Sequence, residues 1–157
     1  MDWQPGQPVA PTGGHKVFIV HGHDDRPKLI LSNFLYGLGL KPIILHEQPN
    51  KGRTIIEKFE QYASSVRYAF ILLTSDDLGC TKGERNLRPR ARQNVILELG
   101  FFMGKLGRDR VCCIRTKDVE IPSDYHGVIY LAYQQSIQEC FHDITRELHT
   151  AGYNVIF

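Results

Sequence analysis

The chain has too few cysteines, in the wrong pattern, for a disulfide scaffold. Cys80, Cys112, Cys113 and Cys140 are the only four in 157 residues, and no two stand in a CxxC spacing. The usual zinc and redox signatures are therefore missing. The adjacent Cys112 and Cys113 fall in what reads as a buried strand. The expectation is structural, reduced thiols in a cytoplasmic protein. Long apolar runs are missing as well. No stretch of about 18 apolar residues occurs, so no segment is built as a membrane-spanning helix, and no signal peptide is legible. Charge of one sign is scarce. The formal net charge is +2, too small to argue for a nucleic-acid polymer. Repeats and low-complexity tracts are absent from the body of the chain.

What is present is the material of one globular domain, which commonly holds roughly 100–150 residues. Residues 1–14 are rich in Pro and Gly and poor in hydrophobes, and read as a disordered leader or a cloning remnant. Residues 15–157 read as the domain. There, short apolar runs at 17–20, 42–45, 69–73, 111–114 and 128–131 alternate with longer amphipathic ones. The first helix is expected over residues 26–38, with Leu29, Ile30, Phe34, Leu35 and Leu38 inward. Thr54, followed three residues on by Glu57, is a capping box that opens a second helix through Ile55, Ile56, Phe59 and Tyr62. A long loop is expected over residues 75–89, and a last helix over 137–151.

Continuous apolar strands separated by helices imply a parallel sheet covered on both faces. Five strands point to an α/β, flavodoxin-like order 2-1-3-4-5, whose ligands sit beyond the carboxyl ends of strands one and three. Three loops meet at that edge. They are His21, Gly22, His23, Asp24 and Asp25 after strand one, residues 46–53 after strand two, and residues 75–79 after strand three. The start of the helix over residues 93–107 faces the same edge.

That helix carries one carboxylate, Glu98. At about 100° per residue, Val95, Leu99, Phe102 and Leu106 form an apolar stripe, with Ile96 and Met103 beside it. Glu98 falls at the border of the stripe near Asn94 and Lys105, and Leu97 and Phe101 point away. Gly100 and Gly104 form a thin edge that another backbone can approach. A lone carboxylate among apolar neighbours is costly unless it has a partner or a task. The plain alternative is a half-exposed Glu paired with Lys or Arg.

Other residues invite weaker readings. His21, His23 and His46 hint at a metal, but lack the ligand pattern of a zinc site. Asp24, Asp25, Asp76 and Asp77 hint at a phosphoacceptor, but strand three ends at Thr74 and Ala132–Tyr133 follow strand five, where that chemistry wants Asp and Lys. The aspartates are better read as loop caps. His21-Gly22-His23 is not a GxGxxG fingerprint, although Gly22 lets backbone pass close to a ligand. Arg85, Arg88, Arg90 and Arg92 cluster locally. Arg90 and Arg92 are placed to open the helix, where free N–H groups and cations suit a pyrophosphate. Alternatively they are solvated or pair with acids.

Three segments together resemble the bacterial TIR-like (Toll/interleukin-1 receptor) nucleotide-binding family. They are Lys16-Val17-Phe18-Ile19-Val20-His21-Gly22-His23-Asp24, His46-Glu47-Gln48-Pro49-Asn50-Lys51-Gly52-Arg53-Thr54, and Arg90 through Gly107. Members of this family are fused to STING-type sensors or act in cyclic-nucleotide antiphage defence. The resemblance covers about residues 16–133. It implies a TIR fold and NAD⁺ glycohydrolase activity, with NAD⁺ as substrate and no separate cofactor, giving nicotinamide and linear or cyclised ADP-ribose. It maps the catalytic Glu onto Glu98 through the Asn94-Val95-x-x-Glu98-Leu99-Gly100 context. Candidate substrate-binding residues are His21, Gly22, His23, Asp24, Arg90, Arg92 and Asn94. The loop of Glu47, Gln48, Pro49, Asn50, Gly52 and Arg53 would contact a neighbouring TIR domain on self-assembly. No STING-like domain follows residues 152–157, so a cyclic-nucleotide sensor, if there is one, lies outside this sequence. The competing functions are a non-catalytic TIR scaffold and a deoxyribosyltransferase-like enzyme on a related fold.

Overall fold

A computed structural model of the protein describes residues 14–122 and 127–155. Of the leader expected over residues 1–14, only Gly14 lies within the described residues. The elements run β1 (Lys16–Val20), α1 (Asp25–Gly37), β2 (Lys41–Ile44), α2 (Ile55–Ala63), β3 (Ala69–Leu73), β4 (Asp77–Gly79), β5 (Arg88–Arg90), α3 (Gln93–Leu106), β6 (Val111–Thr116), β7 (Ile129–Tyr133) and α4 (Phe141–Thr150). Single 3-10 turns stand at Leu45–Glu47, Arg108–Arg110 and Ile137–Cys140.

Five strands form one parallel sheet in the order β2-β1-β3-β6-β7, the doubly wound order expected from the apolar runs. Side chains alternate across a strand, so β1 feeds two cores. Val17 and Ile19 join Leu31, Leu35, Ile144 and Leu148 on one face. Phe18 and Val20 join Phe59, Val95, Leu99 and Phe102 on the other. Cys112 and Cys113 divide the same way, and all four cysteines are free thiols. The Thr54–Glu57 capping box forms in both directions, with Glu57 Oε2 accepting from the Thr54 N–H at 2.8 Å.

Several expectations are corrected. Ile30, Phe34 and Leu35 of α1 and Leu38 at its end face the core as expected, Pro27, Lys28, Leu31 and Ser32 are buried with them, and Leu29 is exposed instead. Consecutive apolar residues at 29–31 leave the stripe ambiguous in sequence, and packing against β1 selects Leu31. Ile55 and Ile56 are also exposed, because they open α2 above the core. The segment at 75–89 is not a plain loop: Asp77 pairs with Arg90 and Gly79 with Arg88 in a small antiparallel hairpin. Three-residue strands are too short to show a period. The last helix is a 3-10 turn followed by α4, and a Ser136–Glu139 capping box starts the turn. β6 and β7 each run two residues beyond their expected ends, so Ala132 and Tyr133 lie inside β7 rather than after it.

In α3 the expected stripe is the buried one, since Val95, Leu99 and Phe102 are inaccessible. Phe101 departs from expectation. Its ring packs edge-on against Phe59 of α2 at 4.8 Å, so the outer apolar face narrows to Leu97. A substituent at Gly104 would meet nothing, so that part of the glycine edge stays open within the chain. Phe102→Ala should lower unfolding free energy by about 3–5 kcal/mol, and Leu97→Ala by less than about 0.5 kcal/mol. Urea denaturation of both variants checks which face of α3 is buried.

Candidate active site

The site is assembled at the carboxyl edge of the sheet, and Asp76 joins its parts. Asp76 lies three residues beyond β3. Its Oδ1 accepts from the His23 N–H at 3.0 Å and from the Thr74 hydroxyl at 3.0 Å. Its Oδ2 faces the Arg92 N–H at 3.4 Å, at the cap of α3. Gly22 packs against the same carboxylate, and a methyl group there would overlap it. One side chain therefore holds the loop after β1, the loop after β3 and the start of α3. The reading of Asp24 and Asp76 as loop caps fits, since Asp24 caps α1 by accepting from the Arg26 N–H at 3.0 Å.

Glu98 stands less than two turns into α3 and is half-buried. Residues three apart share a helix flank, so Glu98 lies on the flank of Phe101, which faces α2. Burial pushes its carboxyl up from the ordinary 4.5 to about 7, and only the Arg92 charge opposes this. Among the described residues no hydrogen bond or ion pair holds it, which removes the paired-Glu alternative there. An acid so placed costs stability where it ionises and responds strongly to a nearby positive charge.

The two arginines expected to act together are separated. Arg92 caps α3 and is exposed, as is Asn94 in the first turn. Arg90 belongs to β5. Its Nε donates to Glu120 at 2.8 Å, and its guanidinium lies across Gly79, where an added methyl would come within 2.7 Å of Nη1. Arg90 is thus a staple between the hairpin and the segment after β6. That staple lines a cavity of about 730 Å³ with Leu78, Gln93, Ile96 and Ile121. Ile96 and Glu98 are about 200° apart on the helix. The cavity and the lone carboxylate therefore lie on opposite flanks of α3.

The histidines form a chain rather than a metal cradle. His21 at the end of β1 has its Nδ1 2.8 Å from the Gly22 carbonyl and its Nε2 3.1 Å from His46 Nδ1. His46 Nε2 lies 3.2 Å from the ammonium of Lys28, which also bonds Asp25 at 2.9 Å. Burial lowers the His21 pKa below its ordinary value. Among the described residues no three His, Cys, Asp or Glu are placed to hold a metal ion. His23 and Asp24 are exposed beside this chain.

The loop over residues 47–53 leaves the same edge. Glu47 closes a 3-10 turn and is exposed, as is Pro49. Gln48 Nε2 donates to the Ile44 carbonyl at 3.4 Å. Asn50 Oδ1 accepts from the buried Lys58 at 2.9 Å. Lys51 and Gly52 both take positive φ, +51° and +71°, which reverses the chain and suits Gly at the second position. Arg53 Nη2 is buried and has no hydrogen-bond partner among the described residues.

Sequence reasoning missed Lys28, Lys58, Glu120 and the joining role of Asp76. One signal was available: Lys28, Leu31 and Leu35 are spaced to share a helix face, which places a lysine on the apolar stripe.

A five-stranded parallel α/β sheet in the order β2-β1-β3-β6-β7 with helices on both faces is a TIR-like fold. Residues 16–135 match the family described as CAP12/Pycsar effector protein, TIR domain, and the chain belongs to that family. It is 50% identical over 115 residues to protein YuaY of Escherichia coli (strain K12), covering 73% of this chain and 38% of that protein. Protein tirC of Dictyostelium discoideum is 34% identical over 139 residues, 82% of this chain and 69% of that one. The Pycsar effector protein XpPycTIR of Xanthomonas perforans is 33% identical over 81 residues, 50% of this chain and 26% of its own. The chain thus spans well under half the length of YuaY and of XpPycTIR. Among the described residues no helix is long and apolar enough to cross a membrane.

The raised Glu98 pKa makes a stability prediction independent of function. The fold disfavours the charged form, so the cost is absent below the ordinary carboxylate range and grows as pH rises through about 7. Glu98→Gln should be more stable than the parent at pH 8 by roughly 1–3 kcal/mol, after allowing for its partial exposure, and equal to it near pH 4.5. Thermal unfolding across pH checks this.

Proposed function

We propose that the domain is an NAD⁺ glycohydrolase effector of antiphage defence that works when assembled with copies of itself. The observation that carries this reading is Glu98: a half-buried carboxyl with no partner among the described residues, on a helix whose cap Asp76 joins to the loop after β1. A scaffold has no need of such a group. The family match and the relatives named as Pycsar effectors support the defence setting. A cyclic-nucleotide sensor, whether on the same polypeptide or on a partner, would supply the trigger.

The chemistry follows from charge. The C1′–N bond of the nicotinamide ribose breaks, and its electron pair stays on the ring nitrogen, so nicotinamide leaves neutral. Positive charge spreads over C1′ and the ring oxygen. The ionised Glu98 carboxylate opposes that charge in a partly dry setting, where it is worth more than in water. Water then adds at C1′ and releases a proton, giving ADP-ribose. When an adenine nitrogen takes the place of water, the product is cyclised. Because the leaving group is neutral, one carboxylate suffices. His21, Gly22, His23 and Asp24 would border the substrate with Arg92 and Asn94. The Glu120 ion pair leaves Arg90 a lesser part in gripping a pyrophosphate.

Assembly is favoured by the same edge. The loop over residues 47–53 is pinned at Asn50, holds an Arg53 Nη2 without a hydrogen-bond partner among the described residues, and leads into the exposed Ile55 and Ile56. A head-to-tail contact through it would propagate rather than close.

Two outcomes test the proposal. With concentrated protein and NAD⁺, nicotinamide release should rise with pH through about 7 as Glu98 ionises. Glu98→Gln should lower the rate by about 10²–10³ with the fold intact. Near-normal turnover by that variant removes Glu98 from the reaction, and release of free base from deoxynucleosides instead would redirect the assignment. Separately, specific activity should climb with protein concentration, and Arg53→Glu should suppress both light scattering and turnover. A strictly monomeric protein of constant specific activity refutes the assembly half.

A further inference from the structure

A lysine that is 4% exposed sits on α1 with two acceptors, Asp25 Oδ1 at 2.9 Å and His46 Nε2 at 3.2 Å. Burying an ammonium is expensive unless each neighbour accepts from it. Its presence and the Gly22 carbonyl at the far end together fix every proton along the neutral histidine chain. Lys28 has only donors, so His46 Nε2 must accept. A neutral His46 then carries its proton on Nδ1 and donates to His21 Nε2 at 3.1 Å. His21 Nε2 accepts, so His21 carries its proton on Nδ1 and donates to the Gly22 carbonyl, which can only accept, at 2.8 Å. The reverse direction would set an N–H of His46 against the ammonium.

We propose that Lys28 is a positioning residue that sets this chain running one way, Lys28 to His46 to His21 to Gly22, and so locks the loop after β2 to the loop after β1. Both imidazoles are held in the Nδ1–H form, the minority form of free histidine. Neither ring nitrogen of His21 is then available as an acid or base, and its role is to hold the Gly22–Asp24 backbone where Asp76 grips it. The groups facing His21 are His46 from the 3-10 turn, Lys28 and Asp25 from α1, and the Gly22 carbonyl from its own loop. Protonation of His21 Nε2 requires the His46 N–H contact to break first, so acid strong enough to achieve it opens the lock.

For its effect on turnover the inference rests on the NAD⁺ reading; the proton positions do not. Long-range ¹⁵N–¹H correlation spectra of the intact protein at pH 7.5 should show protonated Nδ1 and bare Nε2 in both His21 and His46. In Lys28→Met only the Gly22 carbonyl still constrains the chain, so a share of Nε2–H His46 should appear beside the Nδ1–H form, and Lys28→Arg should restore the original pattern. With NAD⁺, Lys28→Met should raise KM about three- to tenfold while kcat stays within about twofold, the loss of one hydrogen bond. Lys28→Arg should recover the KM. An Nε2–H His46 in the parent overturns the chain, and that spectrum decides even if Lys28→Met fails to fold. Unaltered tautomers in a folded Lys28→Met overturn the role of Lys28. A shifted tautomer with unchanged KM removes the link to the substrate loop. A parent without turnover discards the NAD⁺ reading and leaves the spectra to judge the chain.

Discussion

The Asp76 carboxylate is where three distant segments become one surface. It accepts from the backbone of His23 and the hydroxyl of Thr74, and its second oxygen faces the backbone N–H that caps α3. A carboxylate near a helix N-terminus is favoured by the exposed N–H groups and the helix dipole. It also occupies the place an anionic ligand would otherwise take. Gly22 allows this approach because any side chain would collide with the carboxylate. The loop after β1 and the start of α3 thus hang from the same two oxygens.

Around that joint the polar groups fall into two kinds. Lys28, Lys58, Arg90 and Glu120 are engaged: each bonds a named partner at 2.8–3.2 Å. Glu98 and the Arg53 Nη2 have none among the described residues, though both are sheltered from water. Unmet sheltered polar groups are costly, and perturbed acids concentrate at functional sites. The cavity beside Arg90 is different. Arg90 and Glu120 in its lining satisfy each other, and it lies across α3 from the acid.

Much of this was legible in the chain. The five apolar runs announce a parallel sheet because strands covered on both faces need no polar alternation, and the order follows from the βα repeats. The α3 stripe was read correctly at Val95, Leu99 and Phe102, since one face of a helix repeats every 3.6 residues. For α1, Ile30, Phe34, Leu35 and Leu38 were read correctly and Leu29 was not, because apolar residues at 29, 30 and 31 offer more than one face. The β4–β5 hairpin left no signal in three-residue strands. Arg90 looked like a helix-opening partner of Arg92, but an arginine's nearest acid cannot be read from sequence when it lies 30 residues away, as Glu120 does.

The sequence by itself determined the class of fold, the family, and the isolation of Glu98 among apolar neighbours, because all three depend on local periodicity and on the order of short motifs. Tertiary structure alone decided which polar groups are engaged and which wait. Hydrogen bonds such as those of Asp76 to His23 and of His46 to Lys28 join residues 53 and 18 positions apart. Their formation depends on how the strands align side by side, and alignment is a property of the packed sheet rather than of any one segment.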